Sequence, residues 1–374
     1  MWRMYILLTP IIFLIALFMY HYLKRMCITF GISTEKNKTK IVLYALSICF
    51  GASCYSIKSL GIPIVLYFFI FALLFMLINF LLKLFFKKRF LDGFKIWKKA
   101  YGSGIFPILL TVIILIIGYI NMHNIVCTGY TIYTDKSIRG SGYKVALLAD
   151  VHYGVSLDDN ALIELCDDLS KQNTDMVILC GDIVDDSTTK EQMNFAFEAF
   201  GKIKSNYGVF YVYGNHDRPH SLMRGEFSES ELINAIQSNN IKILKDEIYN
   251  INDDFTIIGR NDNGFSKEAS RASIKQLTEK VDTDNFILTL DHKPCEYVEN
   301  AEAGTDLLLS GHTHGGQLWP VNIIDDIFKI NDANYGLTKI GTMQALVTSG
   351  VAGWNYPIKT SAPAEYVIIN IQKR

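Results

Sequence analysis

Four long apolar runs in the first third of the chain constrain its fold more than any other feature. They cover roughly residues 5–23, 41–57, 62–82 and 105–120. At 16 to 21 residues, each is near the length that crosses a hydrocarbon core as a helix. Helices that are apolar all round, arranged in series, are poorly explained as the interior of a soluble domain. The second run is the most dilute, with Ser47, Gly51, Ser53 and Ser56 inside it. For the first run a cleaved signal peptide is the competing explanation. Lys24 and Arg25 follow it, however, where the small residues of a cleavage site are expected.

Charge divides the chain at the same place. Before residue 126 lie 14 of the 36 Lys and Arg residues but only two of the 37 acids, Glu35 and Asp92. The first part therefore carries +12 and the remainder −13, and parts so unlike meet different surroundings. We read residues 1–125 as a transmembrane helical region of about four spans and 126–374 as a separate domain. The first connection holds Lys24, Arg25, Lys36, Lys38 and Lys40; the third holds Lys83, Lys87, Lys88, Arg89, Lys95, Lys98 and Lys99. The second has Lys58 alone. Basic loops stay cytoplasmic, so the expectation is a multi-pass cell-membrane protein with its second domain outside the cytoplasm. Topology and contact with anionic lipid account for the lysine cluster, so membrane lipid is an expected partner and nucleic acid is not. No protein partner is evident. Transport is disfavoured, because no ionisable residue lies well inside a run.

The second domain alternates strand and helix signals. Residues 143–149, 175–180 and 209–213 are β-branched or aromatic runs. Between them, 158–171 and 188–204 have helical spacing, with Leu162, Leu165 and Leu169 on one face and Phe197 and Phe200 on another. Further strand runs cover 241–244, 248–251, 255–259, 286–290, 307–310, 345–348 and 366–371. The pattern predicts a layered α/β domain with two sheets. Seven cysteines add little. Cys166 and Cys180 fall in core positions, and without a Cys-x-x-Cys pair neither a zinc-thiolate site nor a redox motif is indicated.

Five clusters follow these strand runs in order: Asp150-Val151-His152, Gly181-Asp182-Ile183-Val184-Asp185, Gly214-Asn215-His216-Asp217, Asp291-His292-Lys293-Pro294 and Ser310-Gly311-His312-Thr313-His314-Gly315-Gly316-Gln317. Five of the eight histidines fall in them. Alone, each cluster is ordinary turn chemistry; together they describe a dinuclear metal site. Two divalent cations bind phosphate, ionise the water between them and hold attack in line. Asp150, Asp182 and a bridging hydroxide supply about three negative charges against four positive, which leaves a site that attracts phosphate. His152, His292, His312, His314 and Asn215 fill further positions without adding charge. Oxygen and imidazole together suit Mn, Fe or Zn better than Mg or Ca.

This order of blocks, D-x-H, G-D-x-x-D, G-N-H-[DE], a separate H and G-H-x-H, resembles the calcineurin-like metallophosphoesterase superfamily. More narrowly, the chain is similar to the membrane-anchored bacterial YkuE-type branch. There G-H-T-H-G-G-Q, a late Ser-Gly pair (Ser349-Gly350) and a closing Pro-Ile stretch (Pro357-Ile358) recur. The resemblance covers residues 130–372 or so. It implies a four-layer αββα sandwich and a metal-dependent phosphoester hydrolase. The first metal would be held by Asp150, His152, Asp182 and His314, the second by Asp182, Asn215, His292 and His312. His216 would be the general acid, oriented by Asp185, with Asp217 as the rival for that role. Ala149 stands where many relatives have Ser, and Lys359 where Arg is common, which bears on how a substrate phosphate or carboxylate is gripped.

A membrane tether points to phosphoester substrates at the membrane, lipid-linked or part of the envelope. A nucleotide or sugar-nucleotide pyrophosphatase is the alternative within the class, and a non-enzymatic metal-binding membrane sensor is the alternative outside it. Asp291 reads as a turn or supporting residue, as does the stretch Asn261-Asp262-Asn263-Gly264. His220 reads as a loop histidine. Trp319 and Trp354 read as pocket wall or packing, and the loop 218–228 as a shaper of specificity.

Overall fold

The computed structural model describes residues 2–56, 59–91, 93–217, 226–262, 264 and 271–374. His220, Asn263 and most of the loop 218–228 lie outside the described residues. The chain divides into two compact units, residues 1–119 and 120–374.

The first unit is helical: α1 (Trp2–Thr29), α2 (Asn37–Ala52), α3 (Gly61–Leu91) and α4 (Lys95–Ser103), with α5 (Ile105–His123) running on into the second unit. Among the described residues three helices are long and apolar enough to cross a membrane, over Thr9–Thr29, Gly61–Phe86 and Ile105–His123. Here the structure departs from the fourfold expectation. The second apolar run forms the 16-residue α2, which at about 1.5 Å per residue is short of a hydrocarbon core. Its hydroxyls turn inward: Ser47 Oγ bonds to the carbonyl of Leu43, and Ser53 Oγ to that of Phe50.

The second unit is built on two six-stranded sheets. One has the order β1 (Val126–Thr134), β12 (Glu365–Lys373), β2 (Tyr143–Leu148), β3 (Met176–Cys180), β4 (Val209–Val212), β5 (Ile241–Ile243). The other runs β10 (Gly336–Ile340), β11 (Met343–Val347), β9 (Leu307–Ser310), β8 (Phe286–Leu290), β7 (Phe255–Gly259), β6 (Glu247–Asn252). Among the described residues six α-helices accompany them: α6 (Asp159–Lys171), α7 (Lys190–Gly201), α8 (Glu229–Ser238), α9 (Ile274–Thr278), α10 (Tyr297–Glu302) and α11 (Val321–Phe328).

Strand alternation builds the layers. Val145, Leu147, Ile178 and Phe210 of the first sheet meet Ile257, Leu288, Leu309 and Leu346 of the second in one core. Their neighbours Ala146, Leu148, Leu179 and Tyr211 face Leu162, Leu165, Phe197 and Phe200 of α6 and α7. On the far side, Ile258 and Ile287 pack with Ile274 and Leu277 of α9, and Leu308, Ala345 and Val347 with Tyr297. The result is helix, sheet, sheet, helix. Caps fix where the helices begin: Asp158 accepts from the Ala161 amide, and Thr189 with Gln192 forms a reciprocal capping box.

Register decides where the chemistry goes. Strands β2, β3 and β4 pair in parallel, as do β7, β8 and β9. Their C-terminal ends therefore open along one edge of each sheet, the place where parallel α/β sheets present functional loops.

Candidate metal centre

Every cluster singled out in the sequence leaves the end of one of these strands. Asp150 and His152 follow β2, Asp182 follows β3, Asn215 and His216 follow β4, His292 follows β8, and His312 and His314 follow β9. The structure brings them into two adjoining groups: Asp150, His152 and His314, and Asp182, His292 and His312. Within each group, one ligand atom per residue lies within 4.8 Å of the others. Asp150, His152, Asp182 and His292 are at most 1% exposed.

Three of the four imidazoles have an oxygen beside their second nitrogen. His152 Nδ1 lies 3.2 Å from Asp185 Oδ2, His314 Nδ1 3.2 Å from the Ala352 carbonyl, and His292 Nδ1 2.8 Å from the Cys180 carbonyl. With oxygen acceptors at Nδ1, the proton belongs there and the Nε2 lone pairs point into the site. Those of His152 and His314 then face each other at 3.3 Å. His292 Nε2 faces Asp182 Oδ2 at 3.2 Å, and the same oxygen lies 3.7 Å from His152 Nε2. Lone pairs facing lone pairs in a buried site repel unless a cation lies between them. The donor set therefore fits metal ions, and Asp182 Oδ2 adjoins both groups.

The electrostatics agree. Burial raises the Asp150 carboxyl to about 6 despite His292 nearby. Burial would raise Asp182 too, yet His292 and His152 hold it well below the usual carboxylate range. Burial, with the His292 charge, lowers His312 to about 3, and burial with His152 holds His314 far below the ordinary imidazole value. His292 is the exception. Burial pulls it down, but the Asp182 carboxylate pushes it up to about 10. A proton there does in part what a metal ion would do.

The candidate ligands sit on strained backbone. Asp150, His152, Asp182, His312 and His314 all have positive φ, between 41° and 73°. At about 1–2 kcal/mol for each such residue, this is a sizeable cost in a marginally stable fold. Supporting contacts hold it in place. Asp217 accepts the backbone N–H groups of Asp182, Ile183, Val184 and Gly214, at 2.7 to 3.1 Å. The His312 amide donates to both oxygens of Asp150, and the His216 amide to Asp182 Oδ1. Two glycines make room: a Cβ on Gly214 would lie 2.1 Å from Asp182 Oδ1, and one on Gly350, at φ 79°, 2.5 Å from Asp150 Cβ.

Three expectations change. Asp185 sits against His152, while His216 Nδ1 lies 3.4 Å from Asp186 Oδ2. Burial lowers the His216 imidazole, but the Asp186 hydrogen bond and nearby carboxylates outweigh it and raise it overall. Asp217, the rival partner, pins the loop instead. Lys359 is fully buried and donates to the carbonyls of Ser349 and Gly350, which gives it a supporting place in the fold. Asp291 is held bidentately by Arg271, at 2.8 and 3.2 Å. Asp262 meets Lys293 at 3.1 Å, and the Trp354 ring stands 5.2 Å from that of His216. Sequence reasoning missed Asp186, Arg271 and the Ala352 carbonyl. A backbone oxygen leaves no sequence signal, and Asp185 and Asp186 differ only in which way a turn points them.

Two packed sheets that deliver buried carboxylates and imidazoles to adjoining groups define the metal-dependent phosphohydrolase class. More particularly, residues 143–316 match the calcineurin-like phosphoesterase family. The chain is similar to an uncharacterized metallophosphoesterase of Campylobacter jejuni, 28% identical over 275 residues, which covers 72% of this chain and 70% of the relative. It is also similar to a transmembrane protein with a metallophosphoesterase domain from Danio rerio, 24% identical over 331 residues, with 86% and 74% covered. Among solved structures, a dimetal phosphatase from Danio rerio aligns at TM-score 0.38 and 12% identity, covering 56% of this chain and 88% of that one.

Burial lowers the Lys359 ammonium to about 7 from an ordinary 10.5, against the pull of Asp150 and Glu365. The unfolded chain keeps this proton where the folded chain has lost it, so unfolding takes up a proton between the two values. Stability from this group therefore rises with pH across that window. Lys359→Met is expected to flatten the rise, read from denaturation midpoints at several pH values. An unchanged slope would assign it to another group.

Proposed function

We propose that this protein is a membrane-anchored, dinuclear-metal phosphoesterase that acts outside the cytoplasm on a lipid or cell-envelope phosphate. The observation that carries the metal reading is the pair of Nε2 atoms of His152 and His314, 3.3 Å apart, each ring with its other nitrogen 3.2 Å from an oxygen. Asp150, His152, Asp182 and His314 would hold one ion, and Asp182, Asn215, His292 and His312 the other. Mn, Fe or Zn suits this mixture of oxygen and imidazole. Bound there, the two ions supply Lewis acidity that holds phosphate and makes water nucleophilic at neutral pH.

The chain's own residues do the rest. His216 stands between His152 and Trp354, with ring centroids 5.3 and 5.2 Å away. Asp186 favours the protonated form of its imidazole, which can then give a proton to the departing alkoxide. Asp185 fixes the His152 ring. Trp354, 39% exposed, forms an apolar wall beside the acid. The substrate class rests on the tether: α5 is long and apolar enough to span a bilayer and ends two residues before β1. The outward orientation rests on the seven basic residues between 83 and 99. Kept cytoplasmic, they favour a domain outside, and with α2 crossing as well the basic residues between 24 and 40 share their side.

Full-length protein in detergent, stripped of metal and reloaded with single metals, is expected to bind two ions per chain and to hydrolyse p-nitrophenyl phosphate esters. Asp182→Ala should cost about a thousandfold or more in kcat, since it removes a residue shared by both ions. Folded protein that binds fewer than two ions with every metal would refute the site. The two neighbouring acids should separate. Asp185→Asn is expected to weaken metal affinity by about 10–100-fold. Asp186→Asn should retain both ions and move the alkaline limb of the pH–rate profile to lower pH. Exchanged effects would reverse the assignments. For topology, the exposed Cys127 should react with a membrane-impermeant maleimide on intact cells, and Cys127→Ser should lose that signal. Labelling only after lysis would place the domain inside.

A further inference from the structure

Helix α11 is oriented the reverse of what a soluble domain requires. It buries Asp325 and exposes Val321, Ile323, Ile324, Ile327 and Phe328, the last two at 68% and 73%. Ile330, just past its end, is 68% exposed. The inversion is held in place: Asp325 accepts from the Asn331 amide at 3.1 Å and from the side chains of Asn331 and Asn334. Polar bonds tie the inner face to the domain, and the apolar face is left outward. Single exposed apolar residues are common, but a contiguous set on one short element marks an interaction surface. The exposed charges of the helix and its cap, Asp326 and Lys329, cancel.

Its position identifies the partner. Asn121, in the last turn of α5, donates to the carbonyls of Lys359 and Ala362, both at 2.9 Å. In the same stretch, the Thr360 hydroxyl accepts from the Trp319 amide at 3.0 Å, and the Thr360 amide donates to the Gln317 carbonyl at 2.8 Å. Trp319, 40% exposed, precedes α11 by two residues. Four hydrogen bonds and a short loop thus connect the end of a helix able to cross a membrane with the start of an outward apolar helix. An indole beside such a helix is what a membrane–water interface favours. The loop bearing His312 and His314 runs directly into the same element.

We propose that α11, with Trp319 and Ile330, lies in the headgroup–acyl boundary of the bilayer that holds α5, and that the loop carrying His312 and His314 thereby faces the lipid surface. This rests on α5 crossing the membrane, and it deepens the functional reading toward a phosphate presented by a lipid headgroup.

The test uses the full chain in phosphatidylcholine and phosphatidylglycerol vesicles containing a phospholipid with a diazirine in its acyl chain. After irradiation, lipid adducts mapped by mass spectrometry are expected in residues 319–330 and 105–123, and none at Ile163, an exposed apolar residue on α6. Ile327→Glu with Phe328→Glu should reduce labelling of 319–330 to the level at Ile163 while leaving 105–123 labelled. Both side chains face outward, so hydrolysis of a water-soluble ester should persist in this variant. Labelled 105–123 with unlabelled 319–330 would overturn the proposal, as would cross-links from 319–330 to a second chain in place of lipid. Adducts report contact without turnover, so their absence leaves the phosphoesterase reading untouched, and an inactive preparation can still be mapped.

Discussion

Burying carboxylates and imidazoles with their free lone pairs pointed at one another is the interaction on which the rest of the catalytic unit depends. Nothing in a protein interior repays that arrangement unless a cation enters it. The fold accordingly fixes each ligand by an atom other than the one presented. Asp185 and two backbone carbonyls take the Nδ1 atoms, and the His312 amide bridges both oxygens of Asp150. Five ligands adopt left-handed backbone, at a combined cost on the order of 5–10 kcal/mol. Apparent metal-binding free energies of about 10–16 kcal/mol in small zinc domains show that such a cost lies within what bound metal can offset.

Much of the surrounding sequence is explained by that cost. Asp217 satisfies four amides where the loops after β3 and β4 converge, so removing it would release both at once. Arg271 neutralises Asp291 beside His292, which keeps a second buried carboxylate from competing for the site. Lys359 belongs to the same group of supports. A guanidinium would need more room and more acceptors than the two carbonyls that the ammonium meets.

What was legible in the sequence follows from burial. Strands such as β3, β4, β8 and β9 are covered on both faces, so they read as unbroken apolar runs, and the loops after them stood out by their His and Asp content. Strands β1 and β10 passed unnoticed because they lie at sheet edges with alternate residues exposed, a pattern weak in polar company. Helix α11 was missed for a different reason. Its apolar residues are displayed outward, so amphipathic periodicity gives no hint of which side the domain takes. The candidate metal ligands stood out because their residue types and spacing are distinctive. Asp185 and Asp186 were not separable, since a turn decides which carboxylate meets His152 and which meets His216.

One segment links anchoring to chemistry. Between residues 349 and 362 the chain packs Gly350 against Asp150, turns the Ala352 carbonyl to His314, sets Trp354 beside His216 and offers the Lys359 and Ala362 carbonyls to Asn121. The Ala352 amide meanwhile donates to the Asp150 carbonyl at 2.9 Å. A displacement at Asn121 would therefore act first on the stretch that aims one metal ligand and braces another. Buried Lys359, near its end, ties back to the Ser349 and Gly350 carbonyls at its start. The Ser-Gly and Pro-Ile pairs fall within this segment, so their placement has a physical reason: the same short stretch must fit closely against a strained aspartate at one end and satisfy the last turn of a membrane helix at the other.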